Sequence, residues 1–388
     1  MRPSTVTTEE LRRMPGESVA ELSEAGFFRL LRPTAYGGFA ADPAVHHAAV
    51  QEIARACGST GWAAAVLGVH PWHVALFDPR AQDDVWGADP SVLVCSSYAP
   101  TGTVTTTGDG HRLSGRWHFS SGCDHAGWAL LGGLVTDGEG SPVDLRTFLV
   151  PRSAYTVDRV WDTVGLRGTG SNDLVVQDAF VPAHRSLGYR PVNALDCPGH
   201  RLNSEPLYRL PYAAVFTTTI STAMVGIAEG AYEEHVTAAR ERTPAGRTPA
   251  GRTPAGRTPA GRTPRAADDP FAQVRIARAA SEIDAARLQL TRNTRELYAA
   301  VERGEQPAPG LRARTRRDQV LATERAVTAV DLLVESAGGG VMGAGGGVLQ
   351  RAWRDLRTGR GQAANDLERA LTLYGRHALG VEVHDSMV

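Results

Sequence analysis

The side chains of this sequence that could carry chemistry fall into four short stretches. His70 and His73 lie in Gly-Val-His-Pro-Trp-His (68–73), preceded by apolar residues. A histidine in such a stretch is either a satisfied core group or a proton acceptor near neutral pH. Ser96-Ser97 and Ser120-Ser121 are paired hydroxyls inside β-rich runs. By themselves they read as ordinary sheet hydroxyls. Gly338-Gly339-Gly340-Val341-Met342-Gly343 has the form G-x-G-x-x-G, but it follows Val327–Ala337, whose pattern is helical. The strand–turn–helix context of a dinucleotide fingerprint is therefore missing, although a glycine run still lets backbone approach a phosphate closely. The fourth stretch is Gln362-Ala363-Ala364-Asn365, polar but without a carboxylate.

Composition excludes several chemistries. All 41 basic residues are arginine, which removes Schiff-base and P-loop lysine mechanisms. Cys57, Cys95, Cys123 and Cys197 are scattered without a Cys-x-x-Cys pair, so neither a zinc ribbon nor a disulfide framework is expected, and no metal site. That usage favours a reducing cytoplasm. A net charge of -1 gives no basic field for nucleic acid. The longest apolar run, Trp62 to Phe77, is interrupted by histidines and too short to cross a membrane.

Three regions must position these groups, with expected boundaries at 1–90, 91–190 and 191–388. In the first, Glu9–Leu31 reads as a helical stretch, and Asp42-Pro43 opens another helix as N-cap and first residue. In the second, Ser91–Ser97, Val104–Thr107, Arg112–Phe119, Trp128–Val135, Arg146–Val150 and Leu174–Val181 are short β-rich runs separated by glycine turns. Such spacing predicts an antiparallel β domain. In the third, Ile276, Ala280, Ile283, Ala286, Leu290, Leu297 and Val301 mark one apolar face of a long helix. Thr-Pro-Ala-Gly-Arg recurs four times from Thr243 to Arg262 and ends in Thr263-Pro264-Arg265. Proline and glycine in every five residues predict a disordered surface loop over 243–265, or else a cationic arm for an acidic partner.

Glu24-Ala25-Gly26-Phe27-Phe28, Pro33, Tyr36-Gly37-Gly38, Val181-Pro182 and Gln350-Arg351-Ala352-Trp353-Arg354-Asp355 resemble the signatures of the acyl-CoA dehydrogenase fold. Trp117–His125 and Gly165–Asp173 are similar to one branch, the oxygenase components of two-component flavin-dependent monooxygenases acting on phenols and aromatic polyketides. The resemblance implies an α+β chain: an N-terminal helical domain, a central antiparallel β domain and a C-terminal helical bundle, assembled as a homotetramer. It implies reduced FMN or FAD and O2 as cofactors, a separate NAD(P)H-dependent flavin reductase and an aromatic small-molecule substrate. A hydroperoxyflavin made from these decays to peroxide unless its N5 proton is held and water excluded. The resemblance puts Ser121 at N5, with Ser120 next, and Ser96 facing the same pocket. Flavin is expected against Ser97, Tyr98, Pro100, Phe119, Ser120 and Ser121, and Gly338, Gly339 and Gly340 reach the flavin of a neighbouring subunit. His70 is placed at the substrate, with His73 as fallback.

The sequence departs from the pattern at one point. Many members carry a second catalytic histidine where Gln362 stands here, and glutamine can orient a substrate but not take its proton. Residues 362–365 also lack the glutamate with which acyl-CoA dehydrogenases abstract an α-proton. Besides aromatic hydroxylation, the open alternatives are N-hydroxylation of an amine or amino sugar, acyl-CoA dehydrogenation and a non-catalytic scaffold.

Overall fold

The computed structural model describes residues 5–137, 139–241, 269–343 and 347–383. The Thr-Pro-Ala-Gly-Arg repeat over 243–265 lies outside the described residues. The chain begins with helices α1 (Thr5–Leu11), α2 (Gly16–Glu24), α3 (Pro43–Ala56), α4 (Gly58–Val74) and α5 (Pro79–Trp86). The stretch expected as one helix over Glu9–Leu31 is broken by Pro15 before α2 and by Gly26, at φ 77, after it. Asp42 caps α3 as its sequence predicts, accepting the Ala44 amide at 2.7 Å. Helix α4 is apolar all round and buried from Ser59 to Val74. It packs against α3, against the bundle helix α7 (Thr218–Glu241) and against the first strand.

Seven strands follow: β1 (Val94–Thr107), β2 (Gly110–Ser120), β3 (Trp128–Thr136), β4 (Pro142–Pro151), β5 (Thr156–Asp158), β6 (Asn172–Pro182) and β7 (Ser186–Gly188), in the order β5-β6-β2-β1-β3-β4-β7. The expectation of a wholly antiparallel domain is corrected here, because β1 and β3 pair in parallel, Val94 opposite Trp128. The β1–β2 hairpin brings Ser120 back beside the start of β1. The short link through 121–127 then enters the far edge of β1 from that same end. The expected break between Ser97 and Val104 is a bend within one strand: register shifts between Ser97 and Gly102. A Cβ on Gly102 would stand 2.3 Å from the Trp117 indole, so only glycine lets the bent strand lie against that ring.

The remaining helices are α6 (Tyr189–Ala194), α7, α8 (Pro270–Glu302), α9 (Pro309–Ala337), α10 (Val348–Arg360) and α11 (Leu367–Ala378). Helix α8 buries Ile283, Ala286, Leu290, Leu297 and Val301 of the expected face, whereas Ile276 and Ala280 are half-buried and Ala279 takes the buried place beside them. The two helical regions pack directly on each other, α3 and α4 against α7.

This packing buries His46, His47, His70 and His73, among other histidines. Burial lowers His47 and His70 to about 4 and His73 to about 3, the last helped by the charge of His70. His46, beside His47, is pushed well below its ordinary value for the same reason. Each is neutral when folded and titrates near 6.5 when unfolded, so the unfolded chain binds more protons and stability is lost as pH falls below that value. By pH 5 the loss is about 2 kcal/mol for each of His47, His70 and His73, and His46 acts in the same direction. Buried Asp355, raised to about 7 by desolvation, works in the opposite direction, because the fold takes up its proton as pH drops. Its gain of about 2 kcal/mol between pH 7 and 5 offsets only one histidine. The melting temperature is therefore expected to fall by roughly 10 °C from pH 7 to pH 5. A flat profile in that interval would show that the histidines reach solvent.

Candidate active site

Because β2 ends where β1 begins, residues 94–98 and 119–121 meet at one end of the sheet, and α4 crosses them. Ser121 is buried, accepts the Trp62 indole N–H at 3.2 Å and lies 2.8 Å from the Ser171 hydroxyl. Ser171 is in turn 2.7 Å from the Thr169 hydroxyl. The loop carrying both is tied to the bundle by Asp355, whose carboxylate accepts the Leu166 amide at 2.5 Å. Ser120 points the other way, fully buried towards the Cys95 thiol. Phe119 between Trp117 and Ser120 falls where the β2–β6 register shifts. It adopts φ 63 and leaves its ring 73% exposed, edge-on to Trp161 at 6.3 Å. A bulky side chain held left-handed and facing solvent is strained, and such strain concentrates at binding sites.

On β1, Ser97 donates to the His118 carbonyl at 2.7 Å, and Ser96 lies buried against the Tyr98 phenol. Pro100 is exposed at the bend. Tyr98 joins an aromatic cage: its hydroxyl meets His73 Nδ1 at 2.8 Å, and its ring stands edge-on to Tyr212 and Phe216 at 5.8 and 5.2 Å. Tyr212 and Phe216 are brought in by a wide helical turn, Ala213–Thr217, ahead of α7. His70 belongs to the same cage, stacked on Phe216 at 6.2 Å. Its Nδ1 is 2.7 Å from the Val94 carbonyl, which can only accept, so Nδ1 carries the proton. His70 Nε2 is buried with no partner, a lone pair inside the cage.

Two expected groups stand apart. Gln362 is half-buried, and its amide oxygen accepts the Ala364 N–H, ending a turn after α10. One turn earlier, Gly359 lies so near Trp62 that a Cβ there would be 3.0 Å from the indole. Gln362→Ala is expected to cost about 1 kcal/mol of stability, read as a lower melting temperature. A changed KM at unchanged melting temperature would instead put this side chain in the pocket. Gly338, Gly339 and Gly340 are exposed after α9, with open space among the described residues where a side chain would stand.

Ser96, Tyr98, His70 and His73 thus gather at the start of β1, whereas Ser121 joins Trp62, Ser171 and Thr169, and Ser97 bonds across to β2. Sequence reasoning assigned no role to Trp62, Tyr212, Phe216, Thr169 or Ser171. Gly165–Asp173 stood out as a segment, but hydroxyl contacts between distant segments leave no periodic signal.

Residues 1–82 match the acyl-CoA dehydrogenase N-terminal domain and residues 218–366 the acyl-CoA dehydrogenase C-terminal domain, which gives the class of this flavoprotein fold. Within it, the chain is 48% identical, over its full length and 97% of the relative, to the flavin-dependent monooxygenase oxygenase subunit HsaA of Rhodococcus jostii. The crystal structure of 3-HSA hydroxylase from Rhodococcus sp. RHA1 superposes with a TM-score of 0.92 at 48% identity, covering 100% of this chain and 95% of that one. The oxygenase component of an FADH2-dependent resorcinol hydroxylase from Rhizobium is 35% identical over 98% of this chain and 91% of the relative. The chain belongs to the oxygenase components of two-component flavin-dependent monooxygenases. It is an enzyme that uses reduced flavin and O2. Among the described residues no helix is long and apolar enough to cross a membrane, and no cluster of metal-ligating side chains occurs.

Proposed function

We propose that this enzyme hydroxylates a phenolic or polyketide-like aromatic compound in the cage around His70. The observation that carries this reading is the buried, unpartnered lone pair of His70 Nε2 among Tyr98, Tyr212 and Phe216. Aromatic walls accept a planar ring, and a lone proton acceptor among them accepts an aromatic hydroxyl. Names of relatives support the same class, one of them a resorcinol hydroxylase.

The residues that would hold a flavin lie at the end of β2, and their chemistry fits the group. Phe119 offers an exposed ring face, and the Ser121 hydroxyl supplies a polar group in an otherwise dry wall. When bound, reduced flavin supplies two electrons and activates O2, so that substrate, O2 and reduced flavin yield hydroxylated product, water and oxidised flavin. This chain's own residues do the rest. Ser121 holds the N5 proton, His70 takes the phenol proton and Tyr98 with Phe216 orients the ring. The buried wall around Trp62 and Ser121 keeps water away.

A separate NAD(P)H-dependent reductase completes the system, as the word oxygenase component in the relatives' names supports. A homotetramer is supported by Phe271, Val274 and Leu288, which leave α8 with large exposed apolar side chains. Open space around Gly338–Gly340 admits a second chain's flavin. Four unpaired buried cysteines agree with a cytoplasmic setting.

The test supplies FAD or FMN, NADH and a generic flavin reductase, and screens phenols, aryl amines and acyl-CoA thioesters for products. One added oxygen on a phenol is expected. Bleaching of oxidised flavin by a thioester, with no oxygenated product, would overturn the reading.

A further inference from the structure

The Ser121 hydroxyl ends a chain of three hydroxyls whose direction can be derived. Thr169 Oγ1 is 3.0 Å from the Leu166 carbonyl, which can only accept. A threonine hydroxyl has one hydrogen, so towards Ser171, 2.7 Å away, Thr169 accepts. Ser171 therefore gives its hydrogen to Thr169 and accepts from Ser121 at 2.8 Å. One lone pair of Ser121 receives the Trp62 N–H. What remains open on Ser121 is a single lone pair.

The reversed chain fails on two counts. It would set a Thr169 lone pair against the Leu166 carbonyl oxygen only 3.0 Å away, a repulsive contact. It would also leave the Ser121 hydrogen without an acceptor in a buried place. Thr169, Ser171, Ser121 and Trp62 are all buried, so solvent does not reset the direction.

We propose that Thr169 and Ser171 are positioning residues that lock Ser121 as a hydrogen-bond acceptor, and that this lock selects reduced over oxidised flavin. The inference rests on the reading that Ser121 faces flavin N5. N5 bears a hydrogen in reduced flavin and a lone pair in oxidised flavin. A locked acceptor attracts the first and repels the second, whereas a free hydroxyl would rotate and serve both. The lock thus gives an oxygenase without its own reductase a way to take up flavin in one redox state and release it in the other. Asp355, anchoring Leu166 by its amide, holds the far end of the chain in place.

The test is an equilibrium measurement. The purified oxygenase, free of flavin, is titrated with oxidised FMN and FAD by fluorescence, and anaerobically with the reduced forms. The wild type is expected to prefer reduced flavin. Ser171→Ala and the near-isosteric Thr169→Val should each narrow that preference about tenfold, chiefly by tighter binding of oxidised flavin. Thr169→Ser, which keeps the hydroxyl, should restore it. Ser121→Ala should narrow the preference as well, and adding Ser171→Ala to it should change nothing further. An unchanged ratio in both Ser171→Ala and Thr169→Val, with Ser121→Ala still affected, overturns the lock and leaves the flavin placement standing. An unchanged ratio in Ser121→Ala overturns both. A further drop in the double variant shows that Ser171 acts by another route and likewise overturns the lock. Melting curves of each variant separate these outcomes from misfolding, and Thr169→Val carries the test if Ser171→Ala does not fold.

Discussion

His70→Gln is expected to lower the rate of hydroxylation by about two to three orders of magnitude, the usual worth of a positioned general base. The Val94 carbonyl fixes Nδ1 as the protonated nitrogen and so makes Nε2 the basic one. Burial lowers His70 to about 4, which keeps Nε2 unprotonated throughout the neutral range, its lone pair open to the phenol's hydrogen. Glutamine fills similar space and can hydrogen-bond a phenol, but it cannot take the proton. The decisive comparison is across substrates. The loss should be large for phenols of ordinary acidity and should shrink for nitrophenols that arrive ionised. An equal loss for both kinds would mean that His70 only shapes the cage, and His73, hydrogen-bonded to Tyr98, would be examined next.

Ser121→Ala is expected to leave substrate binding intact and to divert electrons into hydrogen peroxide. One hydrogen bond lost at N5 is worth about 1–3 kcal/mol, a roughly ten- to hundredfold change in partition between product and peroxide. Product formed and peroxide released per NADH consumed give that ratio directly. Unchanged coupling would remove Ser121 from the flavin. Ser120 would not take its place, because its side chain is fully buried on the Cys95 side of the strand.

Much of this architecture is written in local pattern. The cap at Asp42, the apolar face of α8, the hairpin turn before Gly110 and the glycine-interrupted strands follow from forces acting within a few residues, which periodicity and turn chemistry record. The absence of lysine and of a carboxylate at 362–365 likewise limits the chemistry without reference to any fold. Ser96, Ser97, Ser121 and His70 stand out in the chain only through the order and spacing of the motifs that contain them, not through any periodic signal.

Tertiary structure decided the rest. The parallel pairing of β3 with β1 depends on which end of β1 the hairpin returns to, and no strand carries that in its own alternation. The proton on His70 is placed by a carbonyl 24 residues away, and the direction of the Ser121 hydroxyl by Ser171 across 50 residues. Leu166 is held by Asp355 across 189 residues. A residue type states only what a side chain can donate or accept. Which of those options remains open is settled when distant partners use up the others, and that happens only once the helices and the sheet have packed.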